Sequence, residues 1–289
     1  MSTYHPSNSR FPAVAGRFYP ADTHILEKEI KRLMSLAVPF QEKHVRAVIA
    51  PHAGLMFSGK IAASAYNQIS VNADIERVIV LASSHHENFE GAAVWCDGDF
   101  VMPGGIVETD QLFGRQLVQQ HPQLFTDAHS PHLQEHSIEL QLPFLQHVLK
   151  KPWKLVPIVL GTQQPDSCRQ IASALHSELS DGTLIVVSTD FSHYPNAADA
   201  RRLDAETEAA ILSNHPSQLL KVLDKHRKAN ITGHATSLCG WTSVLTLMYM
   251  SAGKPELLYQ SVDYCNSGDI RYYGNSDEVV GYSAVILHQ

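Results

Sequence analysis

Apolar residues recur along the chain in two alternating periods, and that alternation predicts the fold. From Ile25 to Leu36, residues Leu26, Ile30, Leu33 and Met34 fall at helical spacing, and the short, almost wholly apolar run Val45 to Ala50 follows. That order predicts a helix and then a buried strand. The strand signal returns at Val78 to Ala82, Leu155 to Leu160 and Leu184 to Ser188, each followed within a few residues by polar or Gly/Pro-containing segments. Between them, Lys60 to Gln68, Gln111 to Gln119, Ile138 to Leu149 and Ser167 to Leu179 predict helices, the third with Leu142 and Leu145 on one face. Strands alternating with helices predict an α/β fold with a mostly parallel central sheet and helices on both faces.

The final third differs slightly. Helical stretches at Ala200 to Ser213 and Ser243 to Met250 precede two β-rich runs, Leu257 to Tyr264 and Val279 to Leu287, separated by the polar segment Cys265 to Glu278. These two runs are expected to pair at the sheet edge or to extend the sheet. No Pro/Ser-rich linker, long charge run or fixed-period repeat interrupts the chain, so residues 1–289 read as a single domain.

Composition narrows the function classes. At 44% apolar and 18% charged, the chain matches a folded globular protein with a sizeable core. A formal charge of -7 gives no overall positive field, which argues against nucleic acid and anionic membrane surfaces as partners. The opening MSTYHPSNSRF lacks a basic stretch followed by an apolar one, and no apolar run reaches a membrane span, so a soluble, cytoplasmic protein is expected. Cys96, Cys168, Cys239 and Cys265 are scattered with no C-x-x-C, which fits free thiols better than a zinc ribbon or a redox motif.

Ligands of open α/β sheets bind beyond the carboxyl ends of the strands, and there this sequence places unusual side chains. Pro51-His52-Ala53-Gly54 follows the first strand, Ser83-Ser84-His85-His86 the second, and Thr189-Asp190-Phe191-Ser192-His193 the strand ending near Ser188. A fourth segment, Thr236-Ser237-Leu238-Cys239-Gly240, precedes an apolar helical stretch, where a helix N-terminus favours thiolate over thiol. Two imidazoles, His52 and His85, and the Cys239 thiolate make a three-ligand metal site with a position open to water, oxygen or substrate. Soft sulfur with nitrogen suits iron, copper or zinc and disfavours magnesium and calcium. His193 is a candidate fourth ligand or a proton donor near the metal, and Asp190 either orients it or binds the metal itself, the roles beside the metal being favoured for both. His86 is expected to point away, because adjacent residues on an extended segment face opposite sides.

Two other segments bear on the chemistry. In Gln134-Glu135-His136-Ser137-Ile138-Glu139-Leu140, Leu140 stands where a zinc protease of the H-x-x-E-H type needs its second histidine. Glu135 and His136 are instead candidates for an acid/base pair if burial raises the carboxyl, the competing reading being an acidic helix start. Gly54 to Ile61 matches G-x-x-x-x-G-K, but Ile61 replaces the Ser or Thr that would bind magnesium, and Leu55, Met56 and Phe57 are bulky for a phosphate loop.

Taken in order, Ala15-Gly16-Arg17-Phe18-Tyr19, Ala50-Pro51-His52-Ala53-Gly54, Ser84-His85-His86, Glu135-His136-Ser137-Ile138-Glu139, Val156-Pro157-Ile158, Ser188-Thr189-Asp190-Phe191-Ser192-His193 and Cys239-Gly240 resemble the Memo family nearly end to end. The family includes system protein B of the AmmeMemoRadiSam group. The resemblance implies a fold similar to the class III extradiol dioxygenases, whose Fe(II) is held by two histidines and a carboxylate. It also implies that the corresponding site here is His52, His85 and Cys239, with His193 and Asp190 lining the pocket. It implies Fe(II) or copper as cofactor and AMMECR-type and radical-SAM proteins as partners.

The expectation is therefore a metal-dependent oxidoreductase, dioxygenase-like, acting on an unknown small molecule, with His193, Asp190, His136 and Glu135 handling protons. One rival is a binding module that accepts an anionic or phosphorylated peptide in the same pocket without turnover. A second is a structural zinc protein with all four positions filled.

Overall fold

Three apolar runs, Val45–Ala50, Arg77–Ser83 and Thr183–Ser188, lie side by side as parallel strands, and the rest of the fold is built around them. A computed structural model describes residues 8–41, 43–70, 73–270 and 275–289. Most of the opening stretch read above for an export signal, and part of the polar segment Cys265 to Glu278, lie outside the described residues.

In chain order the elements are α1 (Thr23–Ser35), β1 (Val45–Ala50), α2 (Leu55–Tyr66), β2 (Arg77–Ser83), β3 (Ala92–Val94), β4 (Phe100–Met102), β5 (Gly105–Val107) and α3 (Gln111–Gln120). Next come β6 (Phe125–Thr126), α4 (Ser130–Leu133), α5 (His136–Glu139), α6 (Leu142–Val148), β7 (Lys154–Leu160) and α7 (Pro165–Ala174). The chain continues with β8 (Thr183–Ser188), α8 (Ala197–Leu212), α9 (Pro216–Lys228), α10 (Trp241–Ser251), β9 (Leu258–Asn266) and β10 (Gly281–His288). The main sheet has the order β6-β3-β7-β2-β8-β1-β10-β9, and β4 and β5 form a separate hairpin.

The centre of the sheet, β7-β2-β8-β1, is parallel, while β10 joins β1, β9 joins β10 and β3 joins β7 antiparallel. The two C-terminal runs thus extend the sheet, with β10 inside it and β9 at its edge. Side-chain alternation splits each strand between two cores. Val48, Val80, Val186 and Ile286 face Leu33 of α1, Ile61 of α2 and Leu145 of α6. Ile49, Leu81, Val187 and Leu287 face Leu117 of α3, Ile171 of α7, Ile211 of α8 and Leu247 of α10. Helices on both faces explain why the central strands read as unbroken apolar runs.

Several helix boundaries differ from the sequence expectation. The helix expected over Ile138 to Leu149 is two, α5 and α6, because the ring of Pro143 cannot sit four residues after Glu139 in one continuous helix. The helix expected at Lys60 to Gln68 starts at Leu55 and ends at Tyr66, so Gly54 to Lys60 is not a phosphate loop; Lys60 pairs with Asp263 at 3.3 Å. The stretch Ser167 to Leu179 is α7, begun by Pro165, followed by a short 3₁₀ turn at His176–Glu178. Among the described residues, no helix is long and apolar enough to cross a membrane, and all four cysteines are free thiols.

Candidate metal centre

Because β1, β8 and β2 are neighbours and parallel, their carboxyl ends open at one edge of the sheet. The loops that leave them carry His52, Asp190 with His193, and His85. Helix α5 adds Glu135 and His136, and the loop before α10 adds Cys239.

His52 is 2% exposed, and hydrogen counting fixes its tautomer. Ser188 Oγ donates its only proton to Ser137 O at 2.7 Å and accepts from Gln141 Nε2 at 2.8 Å. The contact of His52 Nδ1 with Ser188 Oγ at 2.8 Å must therefore have the imidazole as donor. Nδ1 carries a proton, and Nε2 faces the site, 3.4 Å from Cys239 Sγ. Gln141 is itself held by Tyr66 Oη at 2.8 Å and Pro51 O at 3.1 Å, so the tether is built into the core.

His85 is arranged the same way. Glu135 Oε1 accepts from His85 Nδ1 at 2.9 Å, and Oε2 accepts the His85 backbone N–H at 2.8 Å. Nε2 of His85 is again the nitrogen left for the site. Burial would raise the Glu135 carboxyl, but His85 and Ser137 outweigh it and hold the group well below the usual carboxylate range. Glu135 thus stands as an ionised acceptor that orients His85, the arrangement by which carboxylates commonly fix metal-binding imidazoles. Burial works against protonation of His85 too, yet Cys239 and Glu135 lift it to about 10.

The nitrogens of His52, His85 and His136 all lie within 4.8 Å of one another, within reach of a single ion. Burial, with the neighbouring His52 and His85, pushes His136 down to about 3, so its ring is neutral and able to ligate.

Cys239 sits one residue before the N-cap of α10. Burial opposes ionisation of its thiol, but the charge of His52 and the surrounding imidazoles of His193, His52 and His85 bring it well below the ordinary thiol range. The Asp190 N–H donates to Sγ at 3.2 Å. Gly240 follows because only a residue without Cβ fits: a Cβ there would lie 2.6 Å from Thr189 Cβ and 2.7 Å from Ser188 O. Asp190 Oδ1 accepts the backbone N–H groups of His52 at 2.9 Å and Ala53 at 3.3 Å, and so shapes the His52 loop. Burial raises the Asp190 pKa. Burial would lower His193, but the Cys239 thiolate beside it raises it. His193 Nε2 is buried with no hydrogen-bond partner in the protein. An orphaned imidazole nitrogen, two imidazoles pre-set with Nε2 inward and an ionised thiolate fit a transition-metal ion with nitrogen and sulfur ligands.

The structure gathers His52, His85, Glu135, His136, Asp190, His193 and Cys239 at one sheet edge, but the three side chains whose ligand atoms share one ion's reach are His52, His85 and His136, where the sequence suggested His52, His85 and Cys239; Cys239 Sγ stands 3.4 Å from His52 Nε2. His86 is exposed beside the site. Glu139, second residue of the H-x-x-E pair, is fully buried against Arg10 and Tyr19, away from the histidines. Sequence reasoning missed Ser188 and Gln141 as the tether of His52. Their signal was a polar residue ending an apolar strand and a lone glutamine inside the apolar Leu140 to Leu145 stretch.

The sequence pattern of the Memo-like proteins matches residues 10–286. A MEMO1 family protein of Methanopyrus kandleri is 31% identical over 295 residues, covering 97% of this chain and 99% of its own. One from Aquifex aeolicus is 32% identical, with 96% and 98% covered. The crystal structure of an uncharacterized protein from Escherichia coli superposes with a TM-score of 0.52 at 11% identity, covering 82% of this chain and 98% of that one, which is a likeness of fold alone. Matched along nearly its whole length, the chain belongs to the Memo-like protein family.

Proposed function

We propose that this Memo-like protein is a metal-dependent redox protein in which His52, His85 and Cys239 hold Fe(II) or copper and a small molecule is transformed beside them. The observation that carries this reading is the pair of independent tethers, Ser188 on His52 and Glu135 on His85, that turn both Nε2 atoms toward the side on which Cys239 Sγ stands. A surface histidine needs neither tether. Bound there, a redox-active metal supplies the electron transfer by which O₂ or a bound substrate is activated.

The protein's own groups do the rest. His193 holds a proton next to Cys239 and is placed to pass it to a substrate. Asp190 fixes the backbone of the His52 loop. His136, neutral and within ligand distance of His52 and His85, serves as a further nitrogen ligand or accepts a proton.

The test is anaerobic loading with Fe(II) or Cu(I), metal counting by elemental mass spectrometry, and then O₂ uptake. The expected result is one ion per chain, with uptake lost in His52→Ala and His85→Ala. Failure to bind either ion would overturn the reading and favour the peptide-binding module. A tightly held, inert Zn²⁺ would favour a structural site.

A further inference from the structure

Behind the loop that carries Cys239 lies a second set of polar side chains that the metal reading leaves unused. Ser237 Oγ is 2.9 Å from His226 Nδ1 and 2.9 Å from His234 Nε2. His226 is 1% exposed, and its Nε2 reaches Glu206 Oε2 at 3.0 Å. Helices α8 and α9 and the loop are thereby joined by one chain of hydrogen bonds. A carboxylate only accepts, so His226 Nε2 donates to Glu206, and in the neutral ring Nδ1 is then the acceptor of the Ser237 hydroxyl. Ser237 Oγ then accepts from His234 Nε2.

The loop is pinned at both ends by the segment that follows β8. His193 N–H donates to Thr236 O at 2.9 Å, and Ala235 N–H donates to His193 O at 3.0 Å. Gly233, at φ +76°, passes so close that a Cβ would lie 2.4 Å from Tyr194 O. At the other end Cys239 N–H donates to Asp190 O at 3.3 Å, and Gly240 N–H to Thr189 Oγ1 at 2.8 Å. In the middle, Leu238 N–H turns back onto Thr236 Oγ1 at 3.2 Å, which ties the loop only to itself. On the outer side a cleft of about 350 Å³, lined by Leu223, Arg227, Thr236, Ser237, Leu238 and Trp241, leaves room for outward movement. Leu238 is fully buried in the core, so packing holds the inner face of the loop, and the Ser237 bonds are what tie its outer face to α8 and α9.

We propose that the Glu206–His226–Ser237–His234 chain is a positioning device for Cys239, fixing where its sulfur stands relative to His52 Nε2. The inference rests on reading Cys239 as a metal ligand, but its first test does not require a metal. A buried polar network loses more than one bond when a member is removed, because the remaining partners are left unpaired. Ser237→Ala strips both His226 and His234 of their shared partner and frees the loop toward the cleft. Ser237→Thr keeps the hydroxyl.

The experiment measures the alkylation rate of Cys239 by iodoacetamide in metal-free, reduced protein, followed by mass spectrometry, beside the sulfur-to-metal charge-transfer band of Co(II)-loaded protein. Ser237→Ala is expected to raise the alkylation rate at least about threefold and to weaken or shift the band, with Ser237→Thr restoring both. If Ser237→Ala does not fold, Glu206→Ala, at the partly exposed end of the chain, is read in the same way. A folded variant with wild-type rate and wild-type band would overturn the proposal. A wild-type protein with no sulfur band would instead overturn the ligand reading, while the alkylation rates still decide whether the chain positions Cys239.

Discussion

His52 Nδ1 meets Ser188 Oγ at 2.8 Å, and because the Ser188 proton is committed to Ser137 O at 2.7 Å, the imidazole is the donor. The tether makes Nδ1 a proton carrier in every protonation state of the ring and leaves Nε2 as the atom that exchanges a proton for a metal. In ¹⁵N-labelled metal-free protein, His52 Nδ1 is expected to carry its proton throughout a pH titration, as read from long-range ¹H–¹⁵N spectra. Ser188→Ala is expected to release the ring and lower metal affinity about tenfold with the fold intact, measured by competition with a chelator. An unprotonated Nδ1 would contradict the assignment.

The second tether predicts a comparable loss at His85. In Glu135→Gln one carboxylate oxygen becomes an N–H donor facing either the His85 ring or the His85 backbone N–H, both of which donate to Glu135. Metal affinity is expected to fall by about 10–100-fold, the range for partners that orient metal-binding histidines. Unchanged affinity would remove Glu135 from the account.

Asp204 supplies a stability prediction independent of metal. It is 1% exposed, accepts from Ser192 N–H at 2.9 Å and Tyr264 Oη at 2.7 Å, and burial pushes its pKa up from 3.8 to about 6. Between those values the native state binds the proton more tightly than the unfolded chain does. Its contribution is thus fully present below the unfolded pKa and is lost as pH rises through about 6, a fall of about 3 kcal/mol. Asp204→Asn should remove that fall. Urea denaturation of both proteins from pH 4 to pH 7 tests it, and a difference between them that does not vary with pH would sink the prediction.

How much of this was legible in the sequence depends on how local each signal is. Val45 to Ala50 is a strand with the bounds its apolar run suggests, since a strand buried on both faces needs no partner to be recognised. His52, His85, Asp190 and His193 were singled out by the strand-end rule, which requires only the order of elements. Strands β3 and β6, of three and two residues, are too short to show a period. Helix α9 was missed although Pro216 opens it and Lys225 to Lys228 close it, because few of its side chains are buried. The ionised state of Glu135 was not legible at all: burial alone argues for a raised carboxyl, and only the geometry of His85 and Ser137 reverses the sign. Ser188 and Gln141 stood out only as polar residues in apolar runs, and their role was not legible for the same reason, since what they do is set by contacts across many residues of chain.

The central claim is that Cys239 shares a metal with His52 and His85. X-ray absorption spectra at the metal edge of Fe(II)- or Cu(I)-loaded protein test it most directly, in wild type and in Cys239→Ser. The account predicts one sulfur scatterer with imidazole nitrogens in the wild type, and loss of the sulfur alone in the variant. A wild-type site with no sulfur, or a sulfur signal that survives in Cys239→Ser, would contradict it.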